Sequence, residues 1–158
     1  MGFLTGKTAI ITGAGRAVLK DGSCGSIGYG IATAYAKEGA NLVITGRNVK
    51  KLEAAKQELE SLYGIKVLTV QADVCAGGDN EATVANVVKQ AVDTFGGIQV
   101  LINNAQASAS GVPLAEHTTE QFDLAIYSGL YAAFYYMKAC YPYLAESHGS
   151  VINFASGA

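Results

Sequence analysis

Two glycine clusters near the N-terminus are the residues of this chain best suited to hold an anionic ligand. Gly13-Ala14-Gly15-Arg16 follows an apolar, strand-like run, and Gly28-Tyr29-Gly30 opens an apolar helical pattern. Glycines let the backbone approach a diphosphate closely, and the free N–H groups of a helix's first turn point at such an anion. Ser26 stands where it can cap this helix and also donate its hydroxyl to a phosphate. The pattern predicts a nucleotide-binding turn.

Informative side chains also follow the later strand-like segments. Arg47 comes after the second segment, Asp73-Val74 after the third and Asn104-Ala105 after the fourth. Where NAD is bound, an acidic residue usually follows the second strand and accepts hydrogen bonds from the ribose, whereas a guanidinium there can grip a phosphate. Arg47 therefore favours NADP over NAD, with Arg16 able to help from the other side, unless Arg47 is simply a surface arginine.

Strand and helix patterns alternate along the chain. The predicted strands cover residues 9–12, 41–45, 67–71, 100–103 and 150–154. The predicted helices cover residues 26–38, 48–63, 79–95 and 118–144. This alternation implies right-handed βαβ units and a parallel sheet. We expect one doubly wound, Rossmann-like α/β domain over residues 1–158 that binds NAD(P), with the sheet truncated after its fifth strand and so incomplete at its C-terminal side.

Composition narrows the class of protein. Half of the 158 residues are hydrophobic and the net charge is -2, which fits a sheet covered by helices and argues against a nucleic-acid partner. The three cysteines lack metal-ligand spacing, so we expect free thiols and no metal site. The N-terminus has no apolar signal segment, and tyrosines spread along the apolar residues 125–145 argue against a membrane span. A cytoplasmic protein is expected.

Taken together, these segments resemble the classical short-chain dehydrogenase/reductase family from Lys7 to the last residue. The matching pieces are Thr12-Gly13-Ala14-Gly15-Arg16 with Ile27-Gly28, Thr45-Gly46-Arg47, Asp73-Val74, Asn103-Asn104-Ala105 and residues 149–156. The resemblance implies that Gly13, Ala14, Gly15, Arg16, Ile27 and Gly28 line the pyrophosphate, with Ser26 in the place of the middle glycine. It also implies that Arg47 meets the adenosine 2′-phosphate. Asp73 and Val74 would line the adenine. Asn104 and Ala105 would meet the ribose near the nicotinamide, and Ser156 would be the catalytic serine.

The chain departs from the family pattern at four places. Residues 17–25 separate the glycine clusters as an insertion, either a flap over the cofactor or a bulge into solvent. Gln106 replaces the last glycine of the family's Asn-Asn-Ala-Gly motif. Ser128 stands where the family has a water-organising asparagine, although a hydroxyl can also hold a water. The family's Tyr-x-x-x-Lys pair, which supplies the proton, does not occur in the 158 residues.

The sequence therefore predicts an NADP-dependent oxidoreductase that interconverts a small-molecule alcohol and ketone by hydride transfer, present as its cofactor-binding portion. The alternative is a non-catalytic dinucleotide-binding or scaffold module. The long fourth helix carries Tyr127, Tyr131 and Tyr135 at four-residue spacing, which is typical of packing or subunit contact. Because the family's corresponding helix usually builds a dimer face, the resemblance also implies a homo-oligomer.

Overall fold

The computed structural model describes residues 2–77 and 80–155, which form one parallel sheet with helices on both faces. The strands are β1 (Thr8–Thr12), β2 (Asn41–Gly46), β3 (Val67–Gln71), β4 (Val100–Asn103) and β5 (Ser150–Asn153). The helices are α1 (Ile27–Lys37), α2 (Val49–Tyr63), α3 (Asn80–Phe95), α4 (Thr119–Ile126) and α5 (Ala132–Ser147). The predicted doubly wound parallel sheet is confirmed.

The strand order β3-β2-β1-β4-β5 shows where the winding reverses. The chain builds β2 and β3 on one side of β1, then returns to place β4 and β5 on the other. In register, Ile10 of β1 lies between Val43 of β2 and Leu101 of β4. Sheets of this kind open a crevice at the carboxyl ends of the strands where the direction changes. The ligand site is therefore expected beyond Thr12 and Asn103.

The helix boundaries follow from capping residues visible in the sequence. The Ser26 hydroxyl accepts a hydrogen bond from Tyr29 N, and Asn48 Oδ1 accepts one from Lys51 N, so α1 and α2 each begin one residue later. Gly64 ends α2 in the left-handed conformation, with φ of 66°. The predicted helix over residues 26–38 thus included both of its caps.

The long fourth helix differs from its prediction. A π-helical turn, Tyr127–Tyr131, joins α4 to α5, and α5 continues past Leu144 to Ser147. The regular four-residue spacing of tyrosines gave no sign of the wider turn, because neighbouring rings still meet. The Tyr127 and Tyr131 ring centroids lie 5.5 Å apart. At the other end of the prediction, Thr118 is the N-cap and not part of the helix.

Two further element boundaries lie at the start of α3 and at the end of β5. The predicted third helix began at Asp79, which lies outside the described residues; α3 is described from Asn80. The fifth strand ends at Asn153, although Phe154 N still donates to Asn103 O at 3.0 Å. Within residues 2–77 and 80–155, no helix combines the length and the apolar character needed to cross a membrane.

Alternate residues of the central strands bury into two separate cores. Ala9 and Ile11 of β1 pack with α1 and α2, whereas Ile10 packs with α3 and α5. All three side chains are fully buried. Since β1 is enclosed on both faces, the loop at its carboxyl end has a rigid support. β5 is different, because Val151 and Ile152 at the sheet edge remain 40% and 41% exposed.

Candidate dinucleotide-binding site

The insertion between the glycine clusters folds as a small hairpin of its own. Val18 and Cys24 pair as an antiparallel bridge, and Gly25 N donates to Ala17 O at 2.8 Å to close the base. Residues 18–25 are exposed, so the hairpin projects into solvent. Because its base is closed, Gly15 and Ser26 line one cavity despite the residues that separate them.

Helix α1 approaches the glycine turn so closely that only glycine fits at position 28. A Cβ on Gly28 would lie 2.3 Å from Gly13 O and 2.6 Å from Asn104 Nδ2. Gly13 itself has φ of 73°, a conformation that other residues rarely adopt. These two glycines bring the N-terminus of α1 against the ends of β1 and β4, where a helix can receive an anion.

The amides of the turn divide into two groups. Gly13 N and Ala14 N both donate to Thr45 O, and Arg16 N donates to Lys51 O at 2.8 Å. These donors therefore fix the turn to the end of β2 and the start of α2, and the Ala14 side chain is fully buried. The amides of Ile27 and Gly28, in the first turn of α1, have no acceptor among the described residues. They are donors that a ligand can use.

A cavity of about 270 Å³ lies between the glycine turn and the end of β2. Its lining includes Gly13, Gly15, Ser26, Arg47 and Lys51. Arg47 is exposed, and within the described part of the chain its guanidinium forms no ion pair. The cavity therefore combines a wall of glycine backbone, a hydroxyl and two cations, which is a donor set suited to phosphate groups.

Arg16 lies outside this cavity. Its Nε donates to Glu58 Oε2 in the middle of α2, and the Tyr29 hydroxyl donates to the other oxygen of the same carboxylate. The hydrogen bonds from Tyr29 and Arg16 lower the pKa of Glu58, while burial and Glu58 together raise the pKa of Tyr29. The expected help of Arg16 from the other side of a phosphate is not what this geometry provides, because its charge is already paired.

A second cavity, of about 240 Å³, lies across the carboxyl ends of β1, β3 and β4. Val74, Asn104 and Ala105 line it, and it shares Gly13 and Arg47 with the first cavity. The two cavities therefore form one cleft, with Arg47 at the junction. The predicted residues that meet in the cleft are Gly13, Gly15, Ser26, Arg47, Val74, Asn104 and Ala105.

Asp73 supports the turn after β3 without lining the cleft. Its Oδ1 accepts a hydrogen bond from Cys75 N at 2.9 Å, which holds the turn after β3. Val74 and Cys75 are the residues of this turn that line the cavity, and Asp73 is not among them. Burial raises the pKa of the Cys75 thiol, and the neighbouring Asp73 carboxylate raises it further.

Ser128, at the position of the family's water-organising asparagine, holds a loop. It is 2% exposed, and its Oγ accepts from Ala107 N at 2.9 Å. Its single proton can go to Ala107 O or to Leu124 O, at 3.0 and 2.8 Å. The hydroxyl thus ties the loop after β4 to the π-helical turn. Next to it, Gln106 packs its amide against Gly129.

Ser156, the predicted catalytic serine, lies outside the described residues. The strand before it is placed by Asn153, whose Oδ1 accepts from Asn103 Nδ2 at 2.8 Å. Lys51 and Cys75 are among the cleft residues that the sequence did not predict. Lys51 could have been noticed, since it lies three residues after the Asn48 cap and so in the first turn of α2.

The strand order, the glycine turn beside the switch point and the open cleft define a doubly wound, Rossmann-like α/β domain. The sequence matches the short chain dehydrogenase family over residues 7–158, and the chain belongs to that family. The resemblance inferred from the motifs is thereby confirmed.

Several relatives are similar over the whole chain. A 12α-hydroxysteroid dehydrogenase from a Clostridium species is 63% identical over 158 residues, which are 100% of this chain and 58% of that protein. The uncharacterized oxidoreductase YhxC of Bacillus subtilis is 38% identical over 97% of this chain and 49% of its own length. The chain thus spans roughly half the length of the curated relatives it matches.

Solved structures agree with the fold. L-Sorbose reductase from Gluconobacter frateurii, complexed with NADPH and L-sorbose, has a TM-score of 0.84 and 31% identity, covering 99% of this chain and 54% of that one. An NAD+-bound xylitol dehydrogenase has a TM-score of 0.83 and 26% identity, covering 98% and 54%. Structures of this kind therefore include complexes with either dinucleotide.

Proposed function

We propose that this chain is the cofactor-binding part of an NADP-dependent oxidoreductase that interconverts an alcohol and a ketone. The observation that carries the proposal is Arg47, a cation at the end of β2 and at the junction of both cavities that forms no ion pair with any described residue. An NAD site normally has an acidic residue after this strand. A cation in this place matches the extra phosphate of NADP.

Other residues of the cleft fit the rest of the dinucleotide. The free amides of Ile27 and Gly28, with the Ser26 hydroxyl, would hold the pyrophosphate at the N-terminus of α1. Val74 would contact the adenine, while Asn104 and Ala105 would meet the ribose near the nicotinamide. When bound, the dinucleotide supplies or accepts the hydride. Ser156 as the catalytic serine that holds the carbonyl stays a prediction.

The most similar curated relative quoted above suggests the substrate class. That protein is named for a 12α-hydroxysteroid, and it is 63% identical over the whole of this chain. A secondary alcohol on a steroid, with its ketone, is therefore the first substrate pair to test. The sorbose complex involves a much less similar protein, at 31% identity, and so guides the choice of substrate less.

A homo-oligomer formed through the α4–α5 face is part of the same proposal. Leu130, Tyr131 and Phe134 are 63%, 44% and 52% exposed on this face, which is more apolar surface than one helix usually leaves in water. The Tyr135 ring packs against those of Tyr131 and Phe134, with centroids 5.9 and 5.7 Å away. Cytoplasmic location remains a prediction from the sequence.

The test compares NADPH and NADH binding in the complete polypeptide, meaning the full oxidoreductase of which this chain is proposed to be the cofactor-binding part. We expect NADPH to bind at least about tenfold more tightly, and Arg47→Ala to abolish most of that preference with little effect on NADH. Lys66→Ala is the matched control, because Lys66 is an exposed cation at the opposite end of the sheet. Equal affinities in the wild type would contradict the proposal.

A turnover assay distinguishes an oxidoreductase from a non-catalytic dinucleotide-binding module. Reduction of a 12-ketosteroid with NADPH, followed at 340 nm, is expected for the complete polypeptide. Tight NADPH binding without turnover of any steroid or sugar ketone would instead favour the non-catalytic dinucleotide-binding or scaffold module.

A further inference from the structure

Lys51 supplies a second cation to the cavity that Arg47 lines. The hydrogen bond from Lys51 N to Asn48 Oδ1, 3.0 Å long, places Lys51 in the first turn of α2. The glycine turn packs directly on it, since a Cβ on Gly15 would lie 3.1 Å from Lys51 Cβ. Lys51 is exposed, lines the cavity of about 270 Å³, and forms no ion pair within residues 2–77 and 80–155.

Arg16, the other cation near the turn, is withdrawn from this cavity. Glu58 accepts from both Arg16 and Tyr29, and Tyr29 is buried, so the carboxylate is held on two sides. Glu58 lies seven residues beyond Lys51, about 10 Å further along the helix axis. The paired Arg16 charge therefore faces the middle of α2, where it lines a separate surface cavity with Gln57 and Ser61.

Arg47 and Lys51 line the same cavity, and like charges in one cavity repel each other. A dianion bound there relieves that repulsion. A phosphate monoester carries close to two negative charges at neutral pH, so it matches Arg47 and Lys51 together. The N-terminus of the 15-residue helix α2 adds a further favourable field at the same point. NAD, which has a hydroxyl in place of this phosphate, leaves the two cations uncompensated.

We propose that Lys51 acts with Arg47 as a specificity-determining residue for the adenosine 2′-phosphate, and that Arg16 has no part in this contact because Glu58 and Tyr29 hold it. The inference rests on the proposed function, since it assumes that NADP is the preferred cofactor. It adds a residue to the site and removes one that the sequence favoured.

The experiment uses nucleotide probes that differ only in this phosphate. Adenosine 2′,5′-bisphosphate and AMP are titrated into the complete polypeptide by calorimetry. The dissociation constant of AMP divided by that of the bisphosphate measures the contribution of the 2′-phosphate, and this quotient is the ratio compared between variants. Lys51→Met is expected to lower the ratio about tenfold, because one charge-assisted hydrogen bond is lost. Lys51→Arg should keep most of it. Lys50→Met is the matched control, as Lys50 is exposed on the same turn but outside the cavity lining, and it should change the ratio by less than about twofold.

The outcomes separate the two proposals. A wild-type ratio near one would remove the NADP assignment and this inference with it. A high wild-type ratio that Lys51→Met leaves unchanged would overturn the inference alone. Arg16→Met is expected to leave the ratio intact; if it lowers the ratio as much as Arg47→Ala does, Glu58 does not withhold Arg16 and the inference is overturned.

Discussion

Asn104 donates two hydrogen bonds to Thr12 across the point where the sheet reverses its winding. Thr12 Oγ1 accepts from Asn104 N at 3.0 Å, and Thr12 O accepts from Asn104 Nδ2 at 2.9 Å. Ala105 N also donates to the same hydroxyl, at 2.9 Å. One buried threonine therefore fixes the end of β4 against the end of β1. This joint sets the width of the cleft between the two strands.

Replacing Thr12 with valine should destabilise the protein by about 2–4 kcal/mol, because two backbone amides lose their acceptor in a site where Thr12 is 1% exposed. Thr12→Ser keeps the hydroxyl and should cost about 1 kcal/mol or less. The check is urea unfolding of both variants, followed by NADPH titration. Equal unfolding free energies for the two variants would show that the hydroxyl does not hold the joint.

Gly28→Ala should disrupt both folding and binding, whereas Gly30→Ala in the same helix should not. The new Cβ at position 28 meets backbone at 2.3 Å, so α1 has to move, at a cost of about 2–3 kcal/mol. At position 30 the Cβ meets only the tip of the Cys24 side chain, at 3.2 Å. Alanine should therefore raise the free energy of unfolding by about 0.5–1 kcal/mol, because its helix propensity is higher than that of glycine. Thermal unfolding and NADPH affinity of the pair test this. A Gly28→Ala protein that binds normally would contradict the close approach.

The three cysteines should react with a maleimide at different rates. Cys24 is exposed and should react first; Cys140 is buried, which raises its pKa to about 12, and should not react in the folded protein. Cys75 lines the cleft, so saturating NADPH should slow its labelling several-fold while leaving Cys24 unchanged. Mass spectrometry of labelled peptides gives all three rates. A Cys75 labelling rate that is the same with and without NADPH would mean that the cofactor does not occupy this part of the cleft.

Glu58 should make stability depend on pH in the acid range. Its hydrogen bonds with Tyr29 and Arg16 lower its native pKa below the ordinary 4.5. The unfolded chain therefore takes up the proton first, and the stabilisation, complete above about pH 5, is lost as the pH falls through the native pKa.

The variant Glu58→Gln has no carboxylate to protonate, so the difference in unfolding free energy between wild type and this variant should shrink from pH 6 to pH 3. Glu146→Gln, at an exposed position on α5, is the control. A difference that stays constant over this range would mean that the hydrogen bonds from Tyr29 and Arg16 do not stabilise the ionised carboxylate.

Much of the fold could be predicted because its signals are local. The buried runs that form β1 and β2, and the caps Ser26 and Asn48, are visible in a few consecutive residues. The place of Asn104 in the cleft also followed from local pattern, since Asn104 comes directly after a buried strand. In each case the physical cause lies within one turn or one strand of the residue concerned.

The remaining features depend on contacts between distant residues. Arg16 meets Glu58 over a separation of 42 residues, and no short window of sequence indicates which cation of the turn is paired. The position of Lys51 against Gly15 depends on how α2 packs on the glycine turn. The π-helical turn likewise depends on Ser128 bonding to Ala107 in another loop.

The hydrogen bond from Gly25 N to Ala17 O closes the base of the hairpin, so changes in the hairpin need not alter the cleft. Residues beyond this base can be lengthened, shortened or exchanged while the two walls below keep their spacing. A fluorescent label attached through Lys20→Cys, at an exposed position of the hairpin outside the cavity lining, should accordingly leave the nucleotide cleft accessible.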